Sequence, residues 1–133
     1  MAKNNNQVSG WVGWIGFASL ILYLAGFFHI VAGFAALIND KVYIATEEAL
    51  WVLNITQWGW IHIIGGILAI VAASSLMQGH GFGRTIAVIV ALASAVLNMA
   101  FIPIYPVWSI LIIVIDILVI YAVVAHGNEV KDL

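Results

Sequence analysis

His29, His62 and Asp116 are the side chains best placed to do chemistry in this 133-residue sequence, because each interrupts a long apolar run. An ionisable group in hydrocarbon is costly, so such residues turn toward one another, toward backbone or toward water. Asn98 interrupts a fourth run in the same way. At a rise of about 1.5 Å per residue, His29 and Asp116 lie on the order of 13 Å below one boundary of their runs. His62 and Asn98 come out somewhat shallower on the same side. The sequence leaves four readings of this set open. In the first, the residues form a structural cluster: Asp116 and His29 pair, while His62 and Asn98 bond to backbone or water. In the second, an Asp–His pair exchanging protons near neutral pH marks a pathway for protons or a small solute. In the third, His29 and His62 ligate a b-type haem, with Gly33, Gly65 and Gly66 leaving room for a flat macrocycle. In the fourth, both histidines and Asp116 bind zinc or a similar ion. The residues alone predict neither a cofactor nor a metal.

The two histidines share a sequence frame. Gly26-Phe27-Phe28-His29-Ile30-Val31-Ala32-Gly33 aligns with Gly59-Trp60-Ile61-His62-Ile63-Ile64-Gly65-Gly66 as G-x-x-H-I-x-x-G, and Ala36 and Ala69 extend the match. Consecutive spans run in opposite directions, so this is an inverted pair, a theme of transporters. Other chemistry is sparse. Residues 79–84 are Gly-rich but lack a following strand or a Lys-Ser/Thr ending, so they read as a flexible turn rather than a phosphate cradle, with Arg84 as an interfacial anchor. His80 and His126 read as solvated, and Ser94 and Ser109 as packing residues. No Ser-His-Asp arrangement has recognisable spacing. The loops are too short to build a pocket for a water-soluble substrate, so the chain is expected not to be an enzyme.

The elements that must position these residues follow from composition. Hydrophobic residues make up 65% of the chain and charged residues 8%. Soluble domains carry near a quarter charged residues, so this surface is suited to lipid. A formal net charge of -2 excludes a nucleic-acid binder, and the absence of Cys excludes disulfides, thiolate metal sites and Cys-based catalysis. The runs 11–38, 58–77, 85–102 and 107–125 are each long enough to cross a bilayer. In lipid the backbone must satisfy its own hydrogen bonds, so the runs are helices. The first run is too long for the apolar core of a signal peptide and reads as a retained span. The expected fold is all-α, a four-helix up-down-up-down bundle spanning 11–125, flanked by polar segments 1–10 and 126–133. Residues 46–54, with Thr46 as N-cap and Glu47 and Glu48 in the first turn, predict a short interfacial helix in the first outer loop.

Orientation and anchoring follow from the boundaries. Lys3, Arg84 and Lys131 fall on one side and Lys41 alone on the other, which predicts both termini in the cytoplasm. Trp51, Trp58, Trp60, Tyr105 and Trp108 gather at the outer boundary, and Trp11 and Trp14 at the inner one, as aromatic anchors. Small residues recur every four positions at Gly65, Ala69 and Ala73 and at Ala87, Ala91 and Ala95, a spacing that lets helix backbones approach. These stripes serve packing within the bundle or self-association.

Trp58-Gly59-Trp60-Ile61-His62, then Pro103-Ile104-Tyr105-Pro106-Val107-Trp108-Ser109-Ile110, then Asp116, resemble a group of small bacterial four-helix membrane proteins classed as a domain of unknown function. The resemblance covers nearly all of residues 10–125. It implies a four-helix protein of the bacterial cytoplasmic membrane and brings no activity, ligand or partner with it. The leading expectation for function is a non-enzymatic scaffold or accessory subunit, associating through helix faces with a second copy or a larger complex. The alternative is a functional site at His29, His62, Asn98 and Asp116 for protons, a small solute or haem.

Overall fold

Four long helices carry the chain: α1 Trp11–Ile38, α2 Ile55–Met77, α3 Gly81–Phe101 and α4 Pro106–His126. The computed structural model describes residues 8–38, 44–46, 49–51 and 55–133, with backbone alone for 44–46 and 49–51. Each helix is long and apolar enough to cross a bilayer, and the protein is an all-α integral membrane protein. Lys3, Asp40, Lys41, Glu47, Glu48, Asn54 and the rings of Trp51 lie outside the described residues.

The first connection corrects one expectation. Ile44–Thr46 (β1) and Ala49–Trp51 (β2) pair antiparallel, with Ile44 opposite Trp51 and Thr46 opposite Ala49, where the sequence suggested an interfacial helix. β-branched and aromatic residues at Ile44, Thr46 and Trp51 favour a strand, and a two-residue separation suits a hairpin. Two helices also begin earlier than their apolar runs, α2 at Ile55 and α3 at Gly81. Their first turns hold Thr56, Gln57 and Arg84, polar residues that a hydropathy criterion passes over. The Gly-rich segment is therefore mostly helix, and only residues 78–80 turn. Gly79 takes φ +69 there, and its N–H and that of His80 return to Leu76 O (3.0 Å) and Ser75 O (2.9 Å), closing α2.

The chain divides into two compact units, one of Met1–Leu22 with Val71–Leu133 and one of Tyr23–Ile70. In the first, Ile15, Ala18, Leu22, Leu76, Ala87, Ala91, Val119, Ala122 and Val123 form the core. Small residues dominate it because lipid offers no hydrophobic drive, so helices gain energy by close packing. The closest approach is at Gly83, where an added Cβ would collide with the backbone nitrogen of Leu76 and stand 2.5 Å from Ala72 O. Gly83 N–H donates to Ser75 Oγ (3.0 Å) at the same crossing. Tight turns join α3 to α4: Ile104 N–H and Tyr105 N–H both donate to Phe101 O (3.0 and 2.9 Å), and Pro106 opens α4 where no N–H is required. Arg84 closes the other end of α4, donating to Val123 O (3.2 Å), Val124 O (3.1 Å) and Asn128 Oδ1 (2.9 Å). It satisfies orphan carbonyls and sets a positive charge at the negative end of the helix dipole.

In the second unit, the later half of α1 and the earlier half of α2 touch through glycine. A Cβ on Gly26 would lie 2.7 Å from Gly66 O, and one on Gly66 would lie 2.6 Å from Gly26 O. Gly33 and Gly59 repeat the arrangement, at 2.6 Å from Gly59 O and 2.9 Å from Gly33 O. This reciprocity relates the two copies of the G-x-x-H-I-x-x-G frame by a local two-fold axis, as an inverted repeat should be. Gly65, which the small-residue pattern nominated for packing, has no atom within 4 Å of an added Cβ. It is Gly66, one position on, that faces α1.

Candidate functional site

Ser94 is the hydrogen-bonded partner of Asp116, joining α3 to α4 within the first unit. The sequence had paired Asp116 with His29 and read Ser94 as packing. The Ser94 hydroxyl donates to one carboxylate oxygen, while Oδ2 is buried with no hydrogen-bond partner among the described residues. Asn98 stands one turn from Ser94 and donates Nδ2 to Ser94 O (2.9 Å), so its amide is spent along its own helix. The face that carries Ser94 also carries Ala87 and Ala91, both buried, so this stripe is used inside the unit. Ala95 is half-buried. On α2, Ala73 is buried and Ala69 half-buried.

Asp116 and Ser94 line a cavity of about 280 Å³ between α1, α3 and α4. The rest of its wall is apolar, with Ala18, Leu22, Ala91 and Val119 at its buried side. Phe17, Ile21 and Val90 also line it and are 38%, 46% and 46% exposed. Its open side is thus bordered by side chains that face lipid. An apolar chamber with one convergent polar pair has the make-up of a small-ligand site. A carboxylate with an unoccupied oxygen there can accept one more hydrogen bond or hold one positive charge.

His29 and His62 meet in the second unit, with ring centroids 5.0 Å apart and planes tilted by 48°. His62 Nδ1 lies 3.0 Å from Trp58 O, and Trp58 stacks on the same ring at 3.5 Å. The carbonyl can only accept, so Nδ1–H donates to it. The pair sits on the local two-fold axis, between the two glycine contacts. This geometry does not fit a haem iron between the rings. Gly33 and Gly66, where space for a macrocycle was expected, are filled by the facing helix. An imidazole nitrogen binds a metal at about 2 Å, so rings on opposite sides of an iron stand further apart than these. Among the described residues no group of three or more His, Asp or Glu could hold a metal ion. Of the four polar residues, His29 and His62 make a ring contact, His62 bonds to Trp58 O, Asn98 bonds to Ser94 O, and Asp116 bonds to the Ser94 side chain.

Sequence reading missed a third polar group. His126 and the tail, expected to be solvated, fold against α1 through Glu129–Asp132, with Val130 buried. Glu129 Oε2 accepts from Ser9 N–H (2.8 Å) and Ser9 Oγ (2.6 Å), and Oε1 meets His126 Nδ1. Trp11 stacks on His126 at 5.6 Å and meets Tyr121 edge-on at 4.7 Å. Trp11 and Trp14 pack half-buried against the core, whereas Trp58, Trp60, Tyr105 and Trp108 are exposed. Ser, His and Glu here do not form a catalytic relay. A relay uses both ring nitrogens, while Ser9 Oγ (3.4 Å) and Glu129 both approach Nδ1.

The group is expected to hold the tail in a pH-dependent way. Hydrogen bonds from the Ser9 hydroxyl, then His126, then the Ser9 backbone hold the Glu129 carboxyl down from 4.5 to about 2. A depressed folded value means the contribution is complete above 4.5 and is lost as pH falls toward about 2. Trp11 fluorescence should therefore change as the protein is acidified through that window, with the change absent in Glu129→Gln. A transition of unchanged size in Glu129→Gln would assign it to another group.

A family profile described as a domain of unknown function, DUF7144, matches residues 14–128. No curated protein and no solved structure matches the chain.

Proposed function

As the chain belongs to the DUF7144 family of domains of unknown function, its role has to be read from its own geometry, and we propose that it binds a small solute at Asp116. The observation that carries this reading is the unpartnered Oδ2 of Asp116, in a residue that lines an apolar cavity of about 280 Å³. A buried polar atom left without a partner is costly, and natural proteins keep such atoms chiefly where something else completes them. Exposed Phe17, Ile21 and Val90 at the cavity wall make the bilayer the route of entry. The role is one of binding, with no chemical step. The histidine pair holds the α1–α2 crossing in register. We place both termini in the cytoplasm of a bacterial cell, on the side that holds Arg84 and Lys131.

The reading is tested with a neutral apolar probe, 1-adamantanol, titrated into detergent-solubilised protein while methyl NMR signals are followed. Saturable shifts at Val119 and Ala91 are expected. Shifts that never saturate, or that spread over all methyls equally, would contradict a built site.

A second reading, an accessory subunit associating through helix faces, is favoured by Gly65. It is an exposed glycine on an apolar helix with open space around it, which is the surface that membrane helices use for close contact.

A further inference from the structure

We infer that the guest of the Asp116 cavity is a compact lipophilic amine bound as its ammonium ion; this rests on the proposal that the cavity is a binding site and adds the guest's chemical class. Three observations fix that class. The first is charge. Ser94 supplies one hydrogen bond to the Asp116 carboxyl, and among the described residues no cationic side chain lines the cavity. A carboxylate in an apolar setting is stabilised by an opposite charge that also donates a hydrogen bond, and an ammonium does both at Oδ2. The second is stoichiometry: one unoccupied carboxylate oxygen calls for a guest with one cationic head. A second cationic head would meet no other anionic side chain among the described residues that line the cavity.

The third observation is size and lining. An apolar cavity of about 150 Å³ holds one benzene ring, so this one takes a body of roughly a dozen non-hydrogen atoms. Ala18, Ile21, Leu22, Val90, Ile112 and Val119 offer that body a hydrocarbon surface. A long flexible tail exceeds the volume, and an anion meets the carboxylate with like charge. A compact cage or ring carrying one amine satisfies all three conditions. Such a guest partitions into the bilayer, which matches the lipid-facing border of the cavity.

The experiment compares two probes of one shape, 1-adamantylamine and 1-adamantanol, by isothermal titration and methyl NMR on the full chain in detergent micelles. In the wild-type protein the amine should bind at least tenfold more tightly than the alcohol, at a pH where the amine is protonated. In Asp116→Asn that preference should disappear while the alcohol's affinity is retained, with helix content by circular dichroism confirming the fold. The wild-type comparison needs no variant, so it decides the question even if Asp116→Asn fails to fold. If both probes bind with equal affinity, the cavity site stands and the cationic class is overturned. If neither binds, the binding site itself is overturned.

Discussion

Gly83→Ala is expected to cause the largest loss of stability of any single methyl added to this protein. The new Cβ would collide with Leu76 N and lie 2.5 Å from Ala72 O, and both obstacles are backbone atoms. A flexible side chain could swing aside, but two helical backbones must separate. Separation would also break the Gly83 N–H to Ser75 Oγ bond and loosen the packing of Leu76 and Ala87 in the core. Overpacking a close-packed interior costs about 1–3 kcal/mol, and this site belongs at the upper end. Thermal unfolding in detergent, followed by circular dichroism, should show a midpoint well below wild type. An unchanged midpoint would mean that α2 and α3 do not cross at Gly83.

The second large effect is expected at the histidine crossing. Alanine at Gly33 or Gly66 places a methyl 2.6 Å from a carbonyl oxygen of the facing helix, so each variant should lose about 2 kcal/mol. The loss comes with a specific signature. Because the glycine contacts flank His29 and His62, prising the helices apart should remove the ring-current shifts that the rings at 5.0 Å impose on each other. Gly65 provides the contrast. With nothing within 4 Å, Gly65→Leu should leave the stability of the monomer untouched. A fall in oligomeric size in that variant would favour the accessory-subunit reading. Equal destabilisation at Gly65 and Gly66 would contradict the crossing described above.

Particular residues show why some of this was legible in the sequence and some was not. Hydropathy located four helices because lipid leaves the backbone no alternative, and it located α1 to the residue, from Trp11 to Ile38. It misplaced the start of α3 because Gly81 to Arg84 are helical for reasons of local backbone bonding, to which hydropathy is blind. The repeat around His29 and His62 was visible, but its glycines were read as space when they are contact. The seven-residue spacing of Gly26 and Gly33, mirrored by Gly59 and Gly66, was the signal that could have decided this. Asp116 was recognised as costly in lipid. Its partner was not, because Ser94 is 22 positions away on another helix, and no periodicity links them. Ser9 and Glu129 are further apart still, and a contact of that kind exists only once the tail has folded. Spacing reveals neighbours on one helix; partners across helices need the fold.

The central claim is that the cavity beside Asp116 receives a guest. The most direct measurement is the 1-adamantanol titration repeated on Ala91→Leu. Ala91 is a buried core residue that also lines the cavity, so the longer side chain occupies the guest's volume, at an overpacking cost of about 1–3 kcal/mol. The predicted result is a protein with wild-type helix content by circular dichroism in which the saturable shift of Val119 is gone. A variant that still binds the probe with wild-type affinity would contradict a guest in this cavity.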